Sequence, residues 1–553
     1  MSNAKGESDV TPTESKTTGT VGNLSRGSRE TPVTSTASMA ADRSEKARSR
    51  KSDKYVAGES DSPIVPKKLA NIESVPLSAE SMEGRGLTEE NIGQSLLDRT
   101  QRRNSDGTPF VPRSRGLLGV REAAQRDKKQ RFTSLLHHLT PELLRASFFD
   151  LKKQAAPGVD GQTWRDYAED FERRIDDLHE RIHRGAYRAK PSKRTYIPKS
   201  DGKLRPLGIA ALEDKIVQQA ARTVLECIYE QDFLGFSYGY RPRRDAHRAL
   251  DALYVAIAKR KVNWVLDADI RGFFDNISHE WLMKFLEHRI ADRRMLRLLK
   301  KWLRAGVSED GEWSPTKVGT PQGAVISPLY ANVFLHYVLD LWIEAWRKRR
   351  ARGEVSIVRY ADDFVIGFRE ESDARRCLAE LKERFAQFGL ELHPEKTRLI
   401  EFGRYAEERR TKRGAGRPET FDFLGFTHIS GKTRKGEFTI HRHTARKKFQ
   451  AKLAELKAKL RRKMHFDLCE VGAWLRSVVR GWYLYNAVPG NFRRLQQFRR
   501  AIQRLWYRTL RRRSQRGRRF TWKKFARVCE PWLPPPRILH PYPSVRFASQ
   551  HPR

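Results

Sequence analysis

Two apolar runs that flank a pair of adjacent aspartates constrain this chain more than any other feature. Residues 355–360 and 364–368 have the composition of β-strands and the alternation of side chains typical of them, and Asp362 and Asp363 lie in the short connection between the two runs. This pattern predicts a β-hairpin that carries both carboxylates at its tip. Adjacent carboxylates repel each other, and a divalent cation such as Mg²⁺ removes that repulsion. An isolated Asp-Asp pair, however, is more often an ordinary acidic turn.

A second acidic strand end changes this interpretation. The apolar run at 264–270 also ends in carboxylates, among them Asp267 and Asp269. Asp267 is expected to point away from Asp269 and is not expected to be a metal ligand. Phosphoryl transfer uses two metal ions about 3.5–4 Å apart, held by clustered carboxylates. We therefore expect Asp269, Asp362 and Asp363 to converge as the catalytic residues.

The charge of the chain indicates the class of partner. Its 109 Lys and Arg against 67 Asp and Glu give a formal charge of +42, which attracts phosphate polymers. A ribosomal-type or membrane-surface protein is the alternative, but no apolar run approaches the length of a bilayer span. The four cysteines lie far apart without metal-ligand spacing, as is typical of a reducing compartment. We therefore expect a cytoplasmic protein that binds nucleic acid and no membrane.

Composition along the chain predicts four regions. Residues 1–109 are polar and nearly without aromatic side chains, which predicts a disordered leader. Residues 110–440 alternate β-branched runs with amphipathic helices, the pattern of an α+β core. Apolar residues then recur at helical spacing among basic ones, which predicts a helical domain at 441–490 and a basic tail at 491–553.

In this order and spacing, the motifs resemble those of the group II intron reverse transcriptases and maturases. The resemblance extends from about residue 132 to residue 532. The first metal-binding motif of the family corresponds to residues 269–275 of this chain, and the metal-binding hairpin of the family corresponds to residues 360–363. The segment 319–334 resembles the intron version of the motif that lies between these two. The resemblance implies a right-hand polymerase with fingers and palm in 110–440, followed by a helical thumb with maturase function.

The resemblance also implies a set of ligands and contact residues. Two Mg²⁺ ions, or Mn²⁺ as a substitute, would be held by Asp269, Ile270, Asp362 and Asp363. The residues expected to contact the deoxynucleoside triphosphate are Lys199, Arg205, Phe274, Gln322 and Gly323.

Physical chemistry supports these nucleotide contacts. Residues 197–208 read as a hairpin, and the guanidinium fork of Arg205 suits a triphosphate. Gln322 can hydrogen-bond the template or the nucleotide, and Gly323 lets the backbone approach closely. The ring of Phe274 leaves no room for a 2′ hydroxyl and so favours DNA synthesis, although sequence does not decide whether Phe273 or Phe274 fills the core. A solvated basic turn remains the alternative for the hairpin.

Two further segments resemble nucleic-acid contacts of the family, and both have core packing as the alternative. Leu424, Gly425 and Phe426 belong to a motif that holds the primer end. The segment 474–486 interleaves aromatic and basic residues, a pattern suited to unpaired bases and phosphates. Its candidates for RNA binding are Arg476, Arg480 and Trp482, and a basic run at 508–519 follows.

The resulting prediction is an RNA-directed DNA polymerase that also binds its intron RNA and assists splicing and mobility. We expect an RNA template with a DNA primer and target DNA as further partners, a cytoplasmic ribonucleoprotein of bacterial type, and no HNH endonuclease domain; a homodimer is left open. Three alternatives remain: a retron, diversity-generating or defence-type reverse transcriptase, a viral-type RNA polymerase disfavoured by Phe274, and an RNA-binding splicing factor without polymerase activity.

Overall fold

Helices and short sheets alternate in the part of the chain that the computed structural model describes, residues 115–198, 204–433 and 435–550. All of these residues fall within one structural unit. The leader predicted at 1–109 lies outside them, as does Lys199 in the turn of the predicted hairpin. None of the helices in these three ranges is long and apolar enough to cross a lipid bilayer.

The first region packs helices and a β-hairpin around one apolar core. Its elements are α1 (Arg115–Arg126), a 3₁₀ turn (Leu136–His138), α2 (Pro141–Asp150), α3 (Trp164–Ala168), α4 (Phe171–Arg184), β1 (Ser192–Pro198), β2 (Leu204–Ile209), α5 (Leu212–Asp232) and α6 (Ala246–Lys259). The hairpin predicted at 197–208 is confirmed, because β1 pairs with β2 in antiparallel fashion and places Ile197 opposite Arg205. Thr140 caps α2 by accepting a hydrogen bond from Leu143 N, which gives the helix the start expected of a Thr-Pro pair.

The second region contains the central sheet. Its elements are β3 (Trp264–Ala268), a 3₁₀ turn (Phe273–Asp275), α7 (His279–Glu287), α8 (Arg293–Arg304), β4 (Val307–Glu309), β5 (Glu312–Ser314), α9 (Ser327–Leu335), a π-helical segment (His336–Asp340), α10 (Leu341–Arg349), β6 (Val355–Tyr360), β7 (Asp363–Phe368), α11 (Glu371–Ala386), β8 (Arg398–Glu401) and α12 (Ala406–Lys412). The central sheet has the strand order β6-β7-β3-β8, with antiparallel neighbours throughout. β4 and β5 instead extend the sheet of the β1–β2 hairpin.

The central sheet is buried on both faces. Ile357 and Ile366 belong to the core that contains the first region's helices, whereas Val358 and Val365 face a second core shared with α6. The two runs predicted as alternating strands are therefore strands, but nearly every residue of both is buried. A strand covered on both sides gains apolar contacts along its whole length, and this makes the sheet a rigid platform.

A small sheet and a set of helices complete the described chain. Their elements are β9 (Phe421–Phe423), β10 (Phe426–Lys432), β11 (Phe438–Thr444), α13 (Arg446–Arg462), α14 (Leu468–Asn486), α15 (Phe492–Arg512), α16 (Gln515–Arg518), α17 (Trp522–Cys529) and α18 (Pro543–Gln550). Leu456 and Leu460 of α13 are buried in a third core with α14 and α15. Six of the seven exposed residues of α15 are arginines, so this helix has one buried apolar face and a basic exposed surface.

Asp292 joins two parts of the first core through its carboxylate. Oδ2 accepts hydrogen bonds from Leu135 N at 2.7 Å and Leu136 N at 2.9 Å, and Oδ1 accepts from Arg294 N and Met295 N at the start of α8. Burial alone would raise the pKa of Asp292, but these backbone donors lower it below its ordinary value. The charged form of Asp292 therefore stabilises the folded chain.

Replacing this carboxylate should destabilise the fold in a pH-dependent way. Asp292→Ala leaves four N–H groups without an acceptor, and we expect it to lower the free energy of unfolding by about 3 kcal/mol at pH 7. Because the folded-state pKa is lowered, the difference from wild type should shrink as the pH falls below about 4. Denaturant unfolding at several pH values measures this. Asp292→Asn keeps one acceptor and should lose less, and a pH-independent difference for the alanine variant would contradict the assignment.

Candidate active site

The register of the central sheet brings the predicted carboxylates to one end of three neighbouring strands. Ala268 is paired with Phe364 across β3 and β7, so the next residue, Asp269, lies beside Asp363. Tyr360 pairs with Asp363 across β6 and β7, which leaves Ala361 and Asp362 as a two-residue turn. The predicted hairpin is confirmed, and neighbouring Cα atoms in such pairs are about 4.5–5.5 Å apart.

Electrostatic interactions show that the three carboxylates sense one another. Loss of hydration raises the pKa of Asp362 above its ordinary value, and repulsion from Asp269 raises it further. The same loss of hydration raises the pKa of Asp363 to about 7, with added repulsion from Asp362, Asp269 and Asp267. Asp363 nevertheless remains exposed to solvent, so a dissolved cation can reach its carboxylate. A divalent cation would relieve this repulsion, so oxygen ligands and local charge both suit Mg²⁺.

A lysine that sequence reasoning missed lies within this cluster. Lys396 Nζ donates a hydrogen bond to Asp269 Oδ2 at 2.8 Å, and its charge lowers the pKa of Asp363. Its segment is fixed by the hydrogen bond from His393 N to Asp269 O at 2.7 Å. Within the described ranges, no three acidic, histidine or cysteine side chains are gathered closely enough to hold a metal ion. Metal binding would therefore have to draw the carboxylates together and compete with Lys396 for Asp269.

Asp267 and Ile270, the neighbours of Asp269 in the same segment, have different environments. Asp267 accepts a hydrogen bond from Arg398 at 3.4 Å, and burial raises the pKa of Asp267 to about 6. The side chain of Ile270 is buried and apolar. Ile270 can therefore serve as a metal ligand only through its main-chain carbonyl.

Residues 319–334 contain the predicted pocket residues Gln322 and Gly323, and we call them the glycine segment. The glycine segment packs against the loop that follows Asp269. Gly319 N donates to Ile277 O at 2.8 Å, and Thr320 N donates to Phe274 O at 2.8 Å. Gly319 has a φ of +88°, and a Cβ there would lie 2.8 Å from the carbonyl oxygen of Asp275. Both the conformation and the close approach require glycine. The segment predicted to line the nucleotide pocket is thus held beside the acidic strand end.

The same segment is tied to the β1–β2 hairpin. Gly208 N donates to Gln322 O at 2.7 Å, and Gly323 has a φ of +111° with space for a Cβ limited by Gly208 O. Gln322 is half-buried and Gly323 is exposed. Arg205 of β2 lies close enough to Asp362 to lower the pKa of that carboxyl. Four of the five predicted nucleotide contacts, Arg205, Phe274, Gln322 and Gly323, are therefore distributed around the carboxylates.

The structure distinguishes the two adjacent phenylalanines. Phe273 is buried in the core, where it contacts Phe334 edge-on. Phe274 is only partly buried and lies edge-on against Phe273. Phe274 is thus the ring available to a nucleotide, while Phe273 fills the core.

Tyr240 is a further residue near the carboxylates that sequence reasoning did not identify. Burial raises the pKa of its hydroxyl to about 12, and the charges of Asp362 and Asp363 contribute. Its φ is +60°, an uncommon conformation for an aromatic residue. The only signal in the sequence was a Tyr-Gly-Tyr triplet between two helices.

Leu424 and Gly425 form the turn between β9 and β10. Both have positive φ values, and Leu424 O accepts a hydrogen bond from Tyr485 Oη of α14 at 2.7 Å. Phe426 is fully buried and stacks on Tyr485. The ring of Phe426 is therefore a core residue, which corrects the expectation that it contacts the primer, whereas the turn itself remains partly exposed.

The predicted RNA-binding residues of α14 separate into two groups. The Trp482 ring is buried and stacks on Phe498 with ring centroids 4.4 Å apart. This burial corrects the expectation that Trp482 stacks on RNA bases, because its partner ring occupies that position. Arg480 is exposed, and Arg476 donates to Pro531 O at 2.5 Å while its guanidinium lies over Trp532.

Comparisons with known proteins agree with this geometry. A family model described as reverse transcriptase (RNA-dependent DNA polymerase) matches residues 197–428. Protein YkfC of Escherichia coli is 33% identical over 379 residues, which cover 61% of this chain and 94% of YkfC. The group II intron-encoded protein LtrA of Lactococcus lactis is 35% identical over 232 residues, 40% of this chain and 38% of LtrA. An uncharacterised 91 kDa protein in the cob intron of Schizosaccharomyces pombe is 30% identical, and the match covers 42% of this chain and 29% of that protein.

The chain therefore belongs to the reverse transcriptases. Within this family it is similar to proteins encoded in introns, among them the group II intron-encoded protein LtrA. The three carboxylates lie within the range that the family model matches, and the chain spans less than half the length of LtrA.

Divalent-cation binding should depend on pH because of the raised pKa of Asp363. Metal binds the deprotonated carboxylate, and a carboxyl whose pKa is about 7 must lose its proton first. We expect the apparent affinity for Mn²⁺ to fall by about tenfold from pH 8 to pH 6. Titration followed by electron paramagnetic resonance measures this affinity. Asp310→Asn, which alters a carboxylate in an exposed turn, should keep the same pH dependence, and equal wild-type affinity at both pH values would show that Asp363 carries no such proton.

Proposed function

We propose that the protein copies RNA into DNA by two-metal nucleotidyl transfer, as the reverse transcriptase and maturase of a group II intron. The observation that carries this proposal is the pairing of Asp269 on β3 with the Asp362-Asp363 turn between β6 and β7. Clustered carboxylates have no use in RNA binding, since they repel phosphate. They do suit a reaction in which metal ions hold a triphosphate.

The residues around the three carboxylates would have separate roles in this reaction. Asp269, Asp362 and Asp363 would hold the ions, Mg²⁺ or Mn²⁺, together with the carbonyl of Ile270. When bound, the ions supply charge that favours the attacking 3′ hydroxylate and the leaving pyrophosphate. The protein groups orient the substrates and neutralise the triphosphate, and the rate gain comes from this positioning.

The nucleotide would lie between the glycine segment and the β1–β2 hairpin. Arg205 is close to the carboxylates and offers a bidentate fork to phosphate oxygens. Lys199 is proposed as a second phosphate contact from the sequence alone. Gln322 and Gly323 line the pocket, where the peptide of Gln322 is fixed by Gly208.

The proposed partners of the helical region follow from its charge. The faces of α15 outside its apolar stripe are largely basic, and the basic run at 508–519 continues them. We propose that this region, with Arg476 and Arg480, contacts the backbone of intron RNA, of the RNA template with its primer, and of target DNA. Such contacts are independent of sequence and depend strongly on salt.

Removing the paired carboxylates should separate polymerisation from RNA binding. Asp362→Asn with Asp363→Asn preserves side-chain size but removes the metal ligands, so extension of a DNA primer on an RNA template with Mg²⁺ should fall at least about 10³-fold. Affinity for intron RNA, measured by filter binding, should change less than about twofold. The two aspartates are distant in the chain from the basic helices that are proposed to bind RNA, so their effects on RNA binding should be independent. Asp310→Asn, in an exposed turn, is the matched control. Loss of both activities together would show that the proposed division between carboxylates and helices is wrong.

The partly buried ring of Phe274 should set the preference for deoxynucleotides. Phe274→Ala opens space beneath the incoming sugar, and we expect the ratio of kcat/KM for ribonucleotides over deoxynucleotides to rise about 10- to 100-fold. Single-nucleotide insertion assays measure this ratio. Phe274→Tyr keeps the ring and should keep the discrimination, whereas an unchanged ratio in the alanine variant would exclude Phe274 as the determinant.

A further inference from the structure

A buried arginine lies directly before the catalytic turn and is fully hydrogen-bonded. The Arg359 side chain is inaccessible to solvent. Its guanidinium donates to Asp340 at 2.7 Å and 2.5 Å, to Asn332 Oδ1 at 3.1 Å, to Ser237 Oγ at 2.7 Å and to Ala361 O at 2.9 Å. An arginine has five N–H donors, and these contacts use them all. We call this set of residues the Arg359 clamp.

The contact with Ala361 reaches the turn itself. Ala361 has a φ of +55°, a left-handed conformation that costs free energy for a residue with a Cβ. Such a conformation persists only when its surroundings fix it. The Arg359 hydrogen bond to the Ala361 carbonyl holds the peptide that leads into Asp362.

A second segment presses on the same turn from the other side. A Cβ at Gly239 would lie 2.4 Å from Ala361 N, so only glycine permits this approach. The segment is held in place by the hydrogen bonds from Arg359 N to Phe236 O and from Tyr238 N to Arg359 O. Asn332 joins both sides, because its Nδ2 donates to Gly239 O at 2.9 Å while its Oδ1 accepts from Arg359.

The clamp connects the turn to the element that follows the nucleotide pocket. Asn332 lies on α9, which begins a few residues after Gly323. Asp340 ends the π-helical segment that continues α9, and π-helical turns are rare and often accompany functional sites. The positions of the glycine segment and of the carboxylate turn are thus both linked to the buried ion pair of Arg359 and Asp340.

Stability alone does not account for this arrangement. Burying an arginine and an aspartate costs hydration, and apolar side chains of similar volume often replace such pairs without loss of stability. The side chains around the clamp are otherwise mainly apolar. A role in fixing one geometry explains the charged pair better than a role in holding the core together.

We propose that Arg359 is a positioning residue that fixes the Ala361 turn, so that Asp362 and Asp363 are held beside Asp269, where a metal ion can draw the three carboxylates together. This inference rests on the proposed function, because it assigns Arg359 to the same metal site. It predicts that loss of the clamp weakens metal binding even in a chain that remains folded.

The test compares Arg359 with a buried arginine elsewhere. Arg289 is also buried and pairs with Asp232 while donating to Asp127 O, in the first core and away from the turn. In the full-length chain, Arg359→Met should weaken Mn²⁺ binding, followed by electron paramagnetic resonance without nucleotide, by at least tenfold. It should lower kcat for primer extension more than it alters KM for the deoxynucleotide. Arg289→Met should lower the melting temperature but leave the Mn²⁺ affinity within about twofold of wild type.

A milder variant decides the question if Arg359→Met does not fold. Asn332→Ala removes the link between Arg359 and Gly239 without leaving a charge unpaired, and it should weaken Mn²⁺ binding about threefold or more. Arg359→Lys retains the charge but lacks the planar fork, so it should restore folding while recovering only part of the Mn²⁺ affinity.

Two outcomes separate this inference from the proposed function. Folded Arg359 or Asn332 variants that bind Mn²⁺ as tightly as wild type would overturn the clamp. A wild-type protein that binds Mn²⁺ but does not extend a primer would overturn the proposed function, and weakened Mn²⁺ binding in the variants would still support the clamp.

Discussion

Repulsion between carboxylates held at one end of the central sheet is the interaction on which the rest of the site depends. The charge of Asp269 raises the pKa of both Asp362 and Asp363, and no isolated peptide would keep the three carboxylates together. The sheet does so because β3 and β7 are paired along their length and buried on both faces. Burial of apolar surface thus offsets the electrostatic cost, and the remaining repulsion favours any cation that enters.

The neighbouring loops depend on the same platform. The glycine segment is bonded to the loop after Asp269 and to Gly208 of the β1–β2 hairpin, so the carboxylates, the pocket wall and the basic hairpin share a chain of main-chain contacts. Such contacts fix the backbone positions of these three segments relative to one another. The charge of Arg205 and Lys396 is thereby kept near the acidic cluster, where it moderates repulsion without filling all the ligand positions.

The sequence was informative where the signal was local. A turn between two apolar runs predicts a hairpin, because this rule concerns adjacent residues. The expectation that Asp267 points away from Asp269 was wrong, because residues two apart on a strand share a face, and the charges of both raise the pKa of Asp363. Lys396, Tyr240 and Arg359 were missed because their roles arise from contacts between segments distant in the chain. Trp482 was misassigned for a related reason: helical spacing does not reveal which aromatic ring meets Phe498. The side chains of the strands were expected to alternate between a buried and a polar face. Burial on both faces depends instead on the layers that pack against the sheet, which the sequence of a single strand does not show.

The overall positive charge and the acidic cluster at the end of the central sheet have different roles. At physiological ionic strength, charges more than about 8 Å apart are largely screened in solvent, so the basic faces of α15 do little to neutralise carboxylates on another element. The cluster must therefore be balanced locally, by Lys396, by Arg205 or by bound ions. A chain with a charge of +42 can thus attract phosphate along its helices while one end of its central sheet attracts metal, and copying RNA into DNA requires both.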